Sequence, residues 1–170
     1  LGCEAGQCAT GDDNFVVGYR AGSKLGSSDD NVLIGQYAGC RATGGNSISL
    51  GYAAGRDMCS GANNIAIGKN SMLGSGTYSD NTGNHNIAMG LCSLYAISTG
   101  HYNVAIGHNA LPALTTGHRN IAMGICAGRC LATGTYNVLF GKCAGGGDSS
   151  SILAGHSNVF IGREAAQYAT

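Results

Sequence analysis

Gly18, Gly35, Gly51, Gly68, Gly90, Gly107, Gly124, Gly141 and Gly162 each close the same phrase, apolar-x-apolar-Gly, and Gly2 begins the series. The interval is 16 or 17 residues, lengthening to 22 after Gly68 and to 21 after Gly141. A fixed period of this size is the mark of stacked repeats, in which each unit contacts only its neighbours. Ten copies account for all 170 residues, so the chain is expected to be one repeat domain spanning 1–170. A glycine within every few residues argues against helix, because each costs about 1 kcal/mol in a helix interior. What remains is a short strand, a glycine corner and a return, repeated in register.

The columns of the repeat support that reading. Three residues before the closing glycine stand Phe15, Val32, Ile48, Ile65, Ile87, Val104, Ile121, Val138 and Val159. Directly before it stand Val17, Ile34, Leu50, Ile67, Met89, Ile106, Met123, Phe140 and Ile161. Apolar residues two apart have the period of a strand. Four before the glycine lies an asparagine column, Asn14, Asn31, Asn64, Asn86, Asn103, Asn120, Asn137 and Asn158, interrupted by Ser47. Asparagine tolerates unusual corner backbone and can bond its counterpart in the next coil as a ladder. Seven before the closing glycine comes another: Gly11, Gly44, Gly61, Gly83, Gly100, Gly117, Gly134 and Gly155. Each is expected to form a second corner with positive φ. The predicted fold is all-β, a parallel β-solenoid (β-roll) of about ten coils of about 17 residues.

One column does not fit a rod alone in water. If the two flanking apolar columns form the core, the residue between them faces outward. That residue is Val16, Leu33, Ser49, Ala66, Ala88, Ala105, Ala122, Leu139 or Phe160. An apolar stripe along a rod marks an interface with another chain. Three rods around an axis would bury it, and a lateral dimer would too.

Composition narrows the function classes. Lys+Arg and Asp+Glu are equal at 9 each, so no basic face advertises nucleic acid or an anionic membrane. The apolar runs are far too short for a membrane-spanning helix. Eight cysteines without metal-ligand spacing fit an oxidising, extracellular setting or small buried side chains.

The segments "NNIAIGKNS", "NVAIGHNAL" and "NVFIGREAA" resemble the head repeats of trimeric autotransporter adhesins. They resemble more closely the Asn-x-x-Ile-Gly-x-x-Ala repeats of tail-fibre-like proteins of phages, algal viruses and bacteria. The resemblance covers every unit. It implies parallel β-rolls assembled as trimers in an extracellular or virion-surface fibre, with repeats that scaffold rather than catalyse. Two features depart from the adhesin heads: the longer unit and the eight cysteines.

Several clusters raise more specific chemistry. Asp12, Asp13, Asp29 and Asp30 share two columns of adjacent coils, where Ca²⁺ would offset their mutual repulsion; a solvated corner is the plainer reading. His101, His118 and His156 share a column, whose stacking would make the fibre pH-sensitive. Cys126 and Cys143 stand one coil apart, at a spacing a disulfide would have to distort slightly to bridge. Cys3 and Cys8 could close a small loop. The inserted loops 74–84 and 146–156 are candidates for contact, with Tyr78, Asp80 and Asn81 suited to a glycan. Nothing differentiates a catalytic acid from a base, so no enzyme and no required cofactor are expected.

The expected role is structural: a rigid shaft or head of an extracellular fibre, self-associating as a homotrimer or end to end. The alternative is a glycan-binding adhesin module. Ice binding fits less well, since Thr43, Thr99, Thr116 and Thr133 make a single interrupted column. The chain opens within a repeat and ends before a corner, which suggests a segment of a longer fibre.

Overall fold

A computed structural model describes residues 1–74, 81–146 and 155–166. These residues contain no helix and wind into a parallel β-solenoid. Each coil contributes one three-residue strand: β1 (Phe15–Val17), β2 (Val32–Ile34), β3 (Ile48–Leu50), β4 (Ile65–Ile67), β5 (Ile87–Met89), β6 (Val104–Ile106), β7 (Ile121–Met123), β8 (Val138–Phe140) and β9 (Val159–Ile161). They form one sheet in chain order, every neighbour parallel. Nine strands are separated by about eight turns of the chain, so the solenoid is shorter than the ten coils expected. Residues around Gly2 stack on the first turn without adding a strand. At about 4.8 Å per step, the sheet is about 38 Å long.

Register is unbroken. Ile65 faces Ile87 and Val138 faces Val159, across the two coils that carry the insertions. The extra residues therefore leave the strand pairing untouched. Residues 75–80 and 147–154 of those loops, including Tyr78 and Asp80, lie outside the described residues.

The sheet faces are the reverse of the expected ones. The middle residue of each strand points inward: Leu33, Ser49, Ala66, Ala88, Ala105, Ala122 and Leu139 are buried, and Val16 and Phe160 partly so. The flanking residues point outward, with Phe15 at 56%, Leu50 at 42% and Ile161 at 71% exposure. The supposed interface stripe is thus core, and the supposed core columns are surface. Strand period alone leaves this choice open, because a shift by one residue exchanges the faces.

Volume explains why small residues suffice inside. Four residues after each closing glycine, a second column points into the same space. Where the strand offers alanine, this column supplies bulk: Met72 opposite Ala66, Leu94 opposite Ala88 and Leu111 opposite Ala105, all buried. Where the strand offers leucine, it supplies glycine. A Cβ on Gly39 would lie 2.6 Å from Leu33 Cδ2, and one on Gly145 2.7 Å from Leu139 Cδ2. Most coils fill a fixed cross-section from one side or the other, as close packing demands. Ala122 pairs with Gly128, and there Leu111 and Leu139 from the adjoining coils reach across, 2.6 and 2.7 Å from where a Cβ would sit.

The corners also divide differently. The column from Gly11 to Gly155 does not take positive φ; at this corner the left-handed residues are instead non-glycine ones before the asparagines, such as Tyr102 (φ 59) and Arg119 (φ 56). A second left-handed column follows the closing glycine, for example Asn109 (φ 52) and Cys126 (φ 58).

Candidate functional site: an apolar sheet face and two polar columns

The outward face of the nine strands carries two unbroken columns of large apolar side chains, one led by Phe15 and one by Val17. The columns are about 7 Å apart along the strand. Tyr19, Tyr52, Leu91 and Ile125, just beyond the closing glycines, widen the apolar surface and are all exposed. A face about 38 Å long and at least two side chains wide presents several hundred Å² of continuous apolar area. That matches or exceeds the largest patch on an ordinary monomer. The chemistry available to it is association.

Beside this face, the asparagine column runs through the interior of the corner. Asn103 shows the pattern: its Nδ2 donates to Asn86 Oδ1 at 3.1 Å and to the Gly117 carbonyl at 2.8 Å. Its Oδ1 accepts from both the main-chain N–H and the Nδ2 of Asn120, each at 3.0 Å. One side chain thereby ties three successive coils, and it is fully buried. Ser47 keeps the relay going: it donates its N–H to Asn31 Oδ1, and its Oγ accepts the Asn64 N–H. The asparagines themselves do not adopt positive φ; the residue before each one does.

A second column of acceptors lies immediately after the inner glycines, or after Ser28 where a serine holds that position. Asp29 Oδ1 accepts the Asp12 N–H, Asn84 Oδ1 the Ala62 N–H, His101 Nδ1 the Asn84 N–H, His118 Nδ1 the His101 N–H and His156 Nδ1 the Thr135 N–H. Because a main-chain amide can only donate, the Nδ1 of each of these histidines is the acceptor. The rings of His101 and His118 stack at 5.2 Å, with His85 stacked on Tyr102 at 4.9 Å and Arg119 5.4 Å from the Tyr102 ring. Burial, then the nearby His118 and His85, push His101 below the ordinary value of 6.5. A lowered folded value means the unfolded chain binds the proton more readily. The stabilisation is therefore complete above pH 6.5 and is lost progressively as pH falls from that value through the lower folded one. We expect the melting temperature to fall between pH 7.5 and pH 5. The double substitution His101→Asn with His118→Asn should flatten that dependence, since Asn84 performs the same task in the same column. An unchanged pH slope in the double variant would remove the histidines as its cause.

The remaining clusters are more dispersed. Asp12, Asp13, Asp29 and Asp30 all lie at the exposed corner, and Asp29 commits one oxygen to the Asp12 amide. Among the described residues no three histidine, cysteine or acidic side chains converge as a metal site would require. Cys126 and Cys143 are separate thiols, as are Cys3 and Cys8. Asn81, in the first insertion, is buried and donates its Nδ2 to the Asp57 carbonyl at 2.8 Å, so it serves the fold rather than facing a ligand.

Two features escaped the sequence reading. The outward face was missed although its two columns were visible, because both candidate faces are apolar. The reciprocal sizes of the strand centre and the position six residues on, Ala66 with Met72 against Leu33 with Gly39, would have identified the interior. The acceptor column was hidden because aspartate, asparagine and histidine do not look alike until their shared bond to a main-chain amide is seen. No helix among the described residues is long and apolar enough to cross a membrane. No protein family, curated protein or solved structure matches the chain.

Proposed function

We propose that this protein is a structural rod, the shaft or head of an extracellular or virion-surface fibre, built by self-association of its apolar sheet face. The observation that carries this reading is the pair of unbroken outward columns from Phe15 and Val17 to Val159 and Ile161. Surface of this extent is costly in water and is covered in stable assemblies. The two columns differ in content, and this favours a threefold arrangement. One column of each rod can pack on the other column of the next, a heterologous contact that closes as a ring of three. The parallel ladder and the buried asparagines would make such a rod stiff along its length. Its work is mechanical, and no catalytic step is invoked.

Sedimentation velocity tests this. The expected species is near 51 kDa, three times the 17.1 kDa chain. The double substitution Ile65→Lys with Ile106→Lys places two charges on the outer face, and should yield monomers with an unchanged circular dichroism spectrum. The inward substitution Ala105→Lys should instead unfold the chain. A wild-type monomer at tens of micromolar would overturn the assembly. A dimer would retain the face as an interface and overturn the threefold arrangement.

A further inference from the structure

A groove on the flank of the first coils carries chemistry that a purely mechanical rod does not use. It has a volume of about 350 Å³ and is lined by Arg20, Tyr37, Cys40, Arg41, Tyr52 and Arg56. That volume falls within the range of small-molecule sites, about 300–1,000 Å³. The walls are built. Asp57 is fully buried and receives Arg41 Nη1 at 2.7 Å on one oxygen and Arg56 Nη2 at 2.8 Å on the other. Two guanidiniums from different coils are therefore fixed by one buried carboxylate. Arg20 is held by its Nε, which donates to Glu4 at 2.6 Å, while its side chain remains 45% exposed at the rim.

The aromatic groups are equally organised. Tyr19, Tyr37 and Tyr52 occupy three successive coils, with neighbouring rings edge to face: 5.5 Å apart at 76° and 6.1 Å apart at 90°. Each edge-to-face contact covers at most one face of a ring, and Tyr52 stays 46% exposed. Lys69 adds a cation 5.8 Å from the Tyr52 ring. Exposed ring faces favour the C–H faces of a sugar, and a rigid guanidinium favours a planar or tetrahedral anion through paired donors.

We propose that the groove lined by Arg20, Tyr37 and Tyr52 binds an acidic saccharide, a sugar unit bearing a carboxylate or a sulfate. The sugar ring lies against the tyrosines and its acid group meets the outer edge of Arg20. A polyanion such as nucleic acid is a poorer match, because the chain has no net charge and a phosphate backbone needs a longer run of cations. The groove lies within one chain but shares Tyr52 with the margin of the apolar face, so binding is read both on the wild-type chain and on the Ile65→Lys, Ile106→Lys variant.

The test is titration of the full chain, followed by NMR, with a uronic-acid disaccharide, a sulfated disaccharide, a neutral disaccharide and inorganic sulfate. At least one acidic disaccharide should shift the Tyr37 and Tyr52 resonances, with affinity that falls as salt rises. The neutral sugar should bind at least tenfold more weakly. Tyr52→Ala and Arg20→Gln should each weaken binding about tenfold or more. Arg20→Gln removes an exposed side chain and leaves the Asp57 pairs in place, so it keeps the test valid if Tyr52→Ala fails to fold. Two results would overturn the proposal: no shift with either acidic sugar, or inorganic sulfate binding as tightly as the sulfated sugar. The uronic and sulfated arms decide which acid group is read. Sedimentation of the same samples separates a failed groove from a failed assembly.

Discussion

Gly117→Ala is expected to destabilise the solenoid by more than about 3 kcal/mol, a penalty at the upper end for overpacking. A Cβ at Gly117 would lie 2.3 Å from the Gly134 carbonyl oxygen and 2.6 Å from Leu114 Cδ1. The oxygen belongs to the backbone of the next coil, so relief requires the coils to separate. Separation is opposed by every ladder bond between those coils, including the Asn120 Nδ2 bond to the same Gly134 carbonyl at 2.8 Å. Gly26→Ala is the informative comparison. Gly26 has φ +65, yet nothing lies within 4 Å of its Cβ position. That substitution should cost only the left-handed backbone penalty, about 1–2 kcal/mol. Thermal melts followed by circular dichroism should place Gly117→Ala well below Gly26→Ala. Equal losses would mean that the coils can part locally, and the account of this column would fail.

That comparison also shows which parts of the fold were legible in the sequence. The solenoid itself was, because the recurring glycines and strand-period columns both require short strands joined by corners. The role of the inner glycine column was not. A glycine can be needed for positive φ or for the absence of a Cβ, and sequence does not separate the two. At Gly107 both apply: φ is +132, and a Cβ would meet the Gly124 carbonyl oxygen at 2.6 Å. At Gly117 only the close approach applies. The left-handed corners went instead to residues such as Tyr102 and Arg119, whose side chains gave no hint of it.

The facing of the sheet was misread for a related reason. Ala105 between Val104 and Ile106 suggests a small outward residue between two core residues. Inside a narrow coil the opposite holds, because the space between the strand centre and the position six residues on has room for one large side chain. Leu111 takes that room and leaves Ala105 the remainder. The correction strengthens the assembly argument: the outward surface is built of isoleucine, valine, methionine and phenylalanine, a far more apolar face than an alanine stripe.

Asn103→Leu is the second substitution expected to have a large effect, about 3 kcal/mol or more, despite an apolar replacement of similar size in a buried place. The Asn120 N–H loses its acceptor and the Gly117 carbonyl loses its donor. Each orphaned buried group costs about 1–3 kcal/mol. Leucine could offset part of this by burying its own surface, but the site is lined by the amides and carbonyls of adjoining coils. The loss should propagate, since Asn86, Asn103 and Asn120 polarise one another along a continuous relay. Asn103→Ser supplies the check, because Ser47 already stands in this column and passes the relay through its hydroxyl. A serine at 103 should therefore recover part of the stability lost with leucine. If serine and leucine melt together, the column acts through its shape. If serine melts higher, the hydrogen-bonded relay is what couples one coil to the next, and a rod of this composition owes its stiffness to that relay.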